Sequence, residues 1–243
     1  MVTSSALPAA VAKRPVAKRA ASKPAAPAKT DQPAAAPAVA GGPVKTDGDR
    51  LAIMAVQSDA ARRVATWVVA ARDNGGRPYA VIDKPTASLL LFNGKGVLVG
   101  QAPVLLGVGV GDDSTPGVGG KELADIGPAE RTTPAGRYIA KFGRAFGKQR
   151  VLWVDYANSV AMHAVITTHK QERRVERLLS PTPEDNRISA GCINIGTRFY
   201  ADQLSPMFRK AGGLVYITPD TKSLDDVFPR VRLLQYLNQA RDR

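Results

Sequence analysis

Residues 79–109 read "YAVIDKPTASLLLFNGKGVLVGQAPVLLGVG", and this stretch limits the possible fold more than any other. Its aliphatic blocks are too short for helices, and each ends in a turn former: Lys84-Pro85, then Asn93-Gly94 followed by Lys95-Gly96. The Asn-Gly and Lys-Gly pairs between two apolar runs are a hairpin signal. The reading is strand, turn, strand, tight turn, strand. The same texture returns in "TTPAGRYIAKFG" (turn plus strand), in "RVLWVDYANSVAMHAV" (two short strands) and in "GLVYITPD" (a last strand). Together these predict one mainly-β domain over residues 77–220.

Its flanks read differently. In "DRLAIMAVQSDAARRVATWVVAARDNGG", Leu51, Met54, Ala55, Val64, Trp67, Val68 and Ala71 recur at three- and four-residue steps, the period of a helix. Ser58 and Asp59 are good N-caps, so the segment 48–76 should split there into two helices. "THKQERRVERLLSP" has helical spacing and many charges, and is expected to stop at Pro181. Residues 221–243 form a helical extension around "SLDDVF" and "RVRLLQYLNQA". Residues 1–47 are nearly all Ala, Pro, Lys, Val and Thr, too little apolar bulk to offset the entropy of ordering. They predict a disordered, polyproline-like basic arm carrying Lys13, Arg14, Lys18, Arg19, Lys23 and Lys29. Such an arm serves as a tether or adheres to an anionic membrane or wall polymer.

Charge narrows the partners. Lys and Arg number 34 against 21 acids, a formal net charge of +13. That field favours anionic polymers. Nucleic acid is disfavoured: much of the excess lies in the arm, no binding motif is present, and aromatics are 6% of residues, too few for a base-stacking platform. "GVGVGDDSTPGVGGKE" is glycine-rich but lacks the Gly-Lys-Ser/Thr of a phosphate-binding loop, and reads as a surface loop. No run of about 18 apolar residues predicts a membrane-spanning helix. The first residues show no apolar core of the kind a secretory leader carries.

The one cysteine of the chain, Cys192, sits in "RISAGCINIG". A lone cysteine is a small buried hydrophobe or a nucleophile, and its neighbours bear on the choice. Gly191 permits a backbone angle closed to other residues and lets a substrate approach the main chain, while Ser189 and Asn194 supply polar groups. A thiol nucleophile needs a base. The chain has two histidines, His163 in the apolar "SVAMHAVIT" and His169 at the edge of a charged segment. His163 is either a structural strand histidine or a base held rigidly beside the turn. His169 is expected to face solvent.

"SAGCIN" resembles the signature of the L,D-transpeptidases, cysteine enzymes that cross-link bacterial peptidoglycan. "RTTPAGRYIA" and "VLWVDY…MH" are similar to that family's threonine-proline and histidine strands. "SPTPEDNRISAGCINI" and "RFYADQL" resemble a proteobacterial branch with a long spacer between histidine and cysteine. The likeness covers residues 78–220. It departs from the pattern at Ala190, where a histidine usually stands, and at Ala164, usually glycine. What it implies is a mixed β-sandwich or open-barrel catalytic domain with Cys192 as nucleophile and His163 as base. The Gly191 and Cys192 N–H groups would form an oxyanion hole, Ser189 and Asn194 would brace the turn, and Arg187 would meet a stem-peptide carboxylate or stay an ordinary surface arginine. No cofactor and no metal is implied. The partners would be peptidoglycan stem peptides, the protein a monomer, and its place the periplasm or cell envelope. The rivals are an L,D-carboxypeptidase, a weakened domain that holds wall without turning it over, and a cysteine amidase acting on another peptide.

Overall fold

A computed structural model describes residues 41–145 and 149–241. The basic arm expected over 1–47 therefore lies almost wholly outside the described residues. Its last residues are ordered. Strand β1 (Gly42–Pro43) pairs antiparallel with Gln101 and Gly100, the Val44 N–H donates to the Val99 carbonyl at 2.9 Å, and the Val44 side chain packs on the apolar core.

Two helices follow. α1 (Asp47–Ala55) opens on a capping box in which Thr46 and Asp49 satisfy one another's backbone N–H. α2 (Asp59–Ala71) is capped by Ser58, whose hydroxyl accepts the Ala61 N–H. The same Ser58 hydroxyl donates to Asp83 Oδ1 at 2.7 Å, so the break between the helices is tied to the sheet. α2 ends at Arg72 in the left-handed region, before the Asn-Gly-Gly run.

The strands are β2 (Tyr79–Asp83), β3 (Ser88–Phe92), β4 (Leu98–Gly107), β5 (Gly136–Arg144), β6 (Arg150–Asp155), β7 (Val160–Ala164), β8 (Arg187–Ser189), β9 (Ile193–Ile195) and β10 (Gly213–Ile217). In space the order is β4-β3-β2-β10-β5-β6-β7-β9, and β9 pairs back onto β4 through Val104↔Ile195 and Leu105↔Asn194. The eight strands thus close a mixed barrel. β10 runs parallel to β2, and β9 parallel to β7; the other ring pairs are antiparallel. The mainly-β reading holds at this level, with one difference: the ring is closed where an open barrel or sandwich was expected. Closure rests on the short "INI" of β9, buried at every position.

Alternation along the strands makes two cores. Ala80, Ile82, Leu89, Leu91, Val215 and Ile217 point into the barrel with Leu106, Leu152, Met162 and Ile193. The intervening Tyr79, Val81, Leu90, Phe92, Leu214 and Tyr216 point outward and are covered by Val64, Trp67 and Val68 of α2 and by Phe228 and Val231. Being covered on both faces is why β2, β3 and β10 read as unbroken apolar runs instead of alternating ones. Trp67 meets the Tyr216 ring edge-on, with centroids 6.3 Å apart. Fully burying each such side chain contributes about 1.5–3 kcal/mol.

The β3–β4 hairpin is closed by Asn93. Its side chain accepts the N–H groups of Lys95 and Val97, and Gly96, at φ 80°, takes the left-handed position. Beyond β9 the chain is helical over 197–208, with one π-turn at Tyr200–Leu204. After β10, short helices at Leu224–Val227 and Leu234–Arg241 close the chain over α2.

Candidate active site

The barrel puts His163 on β7, next to the strand that Cys192 leads into. In the parallel β7–β9 pair, His163 lies beside Asn194. Cys192 comes two residues before Asn194, directly ahead of β9 in the turn that begins at Gly191. His163 is buried, at 8% exposure. Its Nδ1 is 2.8 Å from the Ala164 carbonyl oxygen. A carbonyl can only accept, so the neutral ring carries its proton on Nδ1 and leaves the Nε2 lone pair free.

Cys192 is half-buried. Its thiol donates to the Ser159 carbonyl, with sulfur and oxygen 3.6 Å apart, so the proton is committed to a main-chain oxygen at rest. Burial pushes the thiol above its ordinary value, while the Ala161 N–H and the positive charge of Arg174 pull it back down. Burial also pushes His163 below its ordinary value, and Arg174 adds to that, against the Ala164 carbonyl. Both shifts favour uncharged partners. The resting pair is thiol plus imidazole, not thiolate plus imidazolium.

The turn that carries the thiol is held from three sides. Gly191 sits at φ 119°, and a Cβ there would lie 2.7 Å from the Thr132 carbonyl oxygen, so only glycine fits. Thr133, fully buried, accepts the Gly107 N–H and donates its hydroxyl to the Gly191 carbonyl, each at 2.9 Å. Ser189 Oγ donates to the Cys192 carbonyl at 2.6 Å and accepts the Gly191 N–H at 3.1 Å. The Gly191 N–H is therefore committed to Ser189. Of the two amides considered for an oxyanion hole, the Cys192 N–H is the one with no acceptor among the described residues. Asn194, wholly buried, donates from Nδ2 to the Cys192 carbonyl at 3.2 Å.

A family-model scan and a search of curated proteins find no match to this chain. The site is therefore read from its own geometry.

Arg187 lies elsewhere. Its Nη2 donates to Asp220 Oδ1 at 2.6 Å, making it part of a buried ionic cluster. At the centre is Lys84, whose ammonium donates to the Gly111 and Thr133 carbonyls and to Asp112, and stands 3.2 Å from Asp220. Burial alone would raise the Asp112 carboxyl. Lys84 and the N–H groups of residues 220–222 outweigh it and hold the group well below the carboxylate range. The cluster pins the 108–135 segment, which carries Thr132 and Thr133, to the end of β10. His169 is exposed. Among the described residues no group of three His, Cys, Asp or Glu side chains has the arrangement of a metal site.

Three contributors escaped the sequence reading. Ser159 supplies only a main-chain carbonyl, which no motif announces. Thr133 stood in "RTTPAG" with no partner in sight. Arg174 lay in "QERRVERLL", where charge and helical spacing suggest a solvated face. In the structure it opens a short helix, α3 (Arg174–Leu178), and turns inward, donating from Nη1 to Asn194 Oδ1 at 2.7 Å and from Nε to Glu172 at 2.6 Å.

Proposed function

We propose that this chain is a cysteine acyltransferase of the L,D-transpeptidase kind, acting on peptidoglycan stem peptides in the cell envelope. The observation that carries the reading is the β7–β9 register. It sets an imidazole with a fixed tautomer and a free Nε2 beside the strand that a half-buried thiol leads into, on a turn that admits only glycine before the cysteine. In this reading the sulfur attacks the carbonyl joining diaminopimelate to the terminal D-alanine, and His163 Nε2 takes the thiol proton as the S–C bond forms. General-base transfer suits a pair that is uncharged at rest. The Cys192 N–H receives the developing oxyanion; loss of one such donor costs on the order of 10²–10³ in rate. The imidazolium then protonates the departing D-alanine amine, leaving an acyl-thioester. The amine of a second stem attacks it, His163 removes that proton, and the thiol is restored with a new amide formed. Water in place of the amine gives a carboxypeptidase.

One observation favours a second reading, a wall-holding domain with little turnover: the thiol lies above its ordinary value and rests on the Ser159 carbonyl. Muropeptide products from wild type beside Cys192→Ala decide between them. The transpeptidase reading expects cross-linked or trimmed stems from wild type alone, and the same products from both proteins would refute it. A carbapenem adduct on intact wild-type protein, absent from Cys192→Ala, is expected as well.

A further inference from the structure

Arg174 is placed unlike the other arginines of its segment. Its side chain keeps only 15% exposure. Nη1 reaches a fully buried residue, Asn194, which stands beside His163 in the β7–β9 register and bonds the Cys192 carbonyl. Nε is held by Glu172. Nη2 has no acceptor among the described residues. The guanidinium is thus clamped on two sides, one side chain removed from the Cys192 turn, with Nη2 uncommitted. A planar fork so fixed suits a carboxylate. Glu172 is one acid that answers to Arg131 as well as to Arg174, so it does not cancel the local positive charge.

We propose that Arg174 is the anion-recognition residue of this site, selecting reactants that carry a free carboxylate close to the atom the Cys192 sulfur attacks. The inference deepens the acyltransferase reading by naming the chemistry of its substrate, and it rests on Cys192 as the reacting group. Arg174 acts by binding and orienting; it transfers no proton. The influence of its charge on both Cys192 and His163 agrees with that position.

Alkylation tests this without a wall substrate, because Cys192 is the one thiol in the chain. Iodoacetate and iodoacetamide each form an S–C bond and release iodide, and they differ in a single negative charge. The rate ratio, iodoacetate over iodoacetamide, is measured for wild type, Arg174→Gln and Arg174→Lys by intact mass. The expected result is a ratio about threefold to tenfold lower in Arg174→Gln, the size of a partly screened charge pair, and largely kept in Arg174→Lys. An unchanged ratio in Arg174→Gln overturns the proposal. In wild type the ratio should also fall as salt is raised from 10 mM to 1 M, about the range over which screening becomes short-ranged. A flat salt response overturns the proposal even if the glutamine variant folds poorly. Failure of the transpeptidase reading would appear separately, in the muropeptide products.

Discussion

Replacing Thr133 by valine keeps the shape of the side chain and removes its hydroxyl. That hydroxyl does two jobs in a fully buried position, accepting the Gly107 N–H and donating to the Gly191 carbonyl, both at 2.9 Å. Thr133→Val therefore strands one donor and one acceptor away from water. A buried polar group left without its partner costs about 1–3 kcal/mol, so the two together should cost on the order of 2–6 kcal/mol. Thr133→Ser keeps both bonds and loses one methyl group, about 0.8 kcal/mol. Urea unfolding of the three proteins, at equal m-values, reads the difference. Because the Gly191 carbonyl belongs to the cysteine turn, carbapenem acylation of Cys192 should slow in the valine variant and remain near wild type in the serine one. Equal stability of Thr133→Val and wild type, within about 0.5 kcal/mol, would refute the claim that this hydroxyl holds the turn; that margin is the usual scatter for substitutions without such a role.

Lys84→Met leaves Asp112 and Asp220 buried without their ammonium and should cost about 3–5 kcal/mol, measured by the same unfolding experiment; a change under about 1 kcal/mol would mean the cluster is not electrostatically coupled. The rate of Cys192 acylation should depend on pH through His163. Its folded value is depressed by burial, so the base stays unprotonated below the ordinary histidine value of about 6.5. The acidic limb of the profile should therefore lie below that pH, and a limb above 7 would contradict a buried, neutral base. The sign for stability is the same: below about 6.5 the unfolded chain gains a proton that the folded one refuses, so His163 makes the fold less stable as pH falls toward its depressed value.

Much of the barrel is legible in residues 79–109, because strands covered on both faces keep unbroken apolar runs and Asn93 marks its own turn. The helix break is legible at Ser58 for the same local reason, a side chain that caps the next turn. Closure is not. β9 is only "INI", and its partner on β4 lies some ninety residues earlier in the chain, at Val104 and Leu105. Nor is Lys84 recognisable as a core residue, since "DKPT" has the composition of an exposed turn and its counter-ions come from residues 112 and 220. At the site, Gly191 and Cys192 announce a tight turn, and the strand context of His163 favours it over the exposed His169. Arg187 and Arg174 look alike as text. Only the tertiary structure sends one to Asp220 and the other to Asn194.

The strand that seals the ring is also the strand that follows Cys192. A nascent chain that has built everything up to β7 holds His163 without the strand that follows Cys192 beside it. The Cys192 turn reaches its place in the barrel only when 193–195 slot between β4 and β7 and 213–217 wedge between β2 and β5. The cysteine turn and the strand that closes the cylinder are thereby one continuous piece of chain.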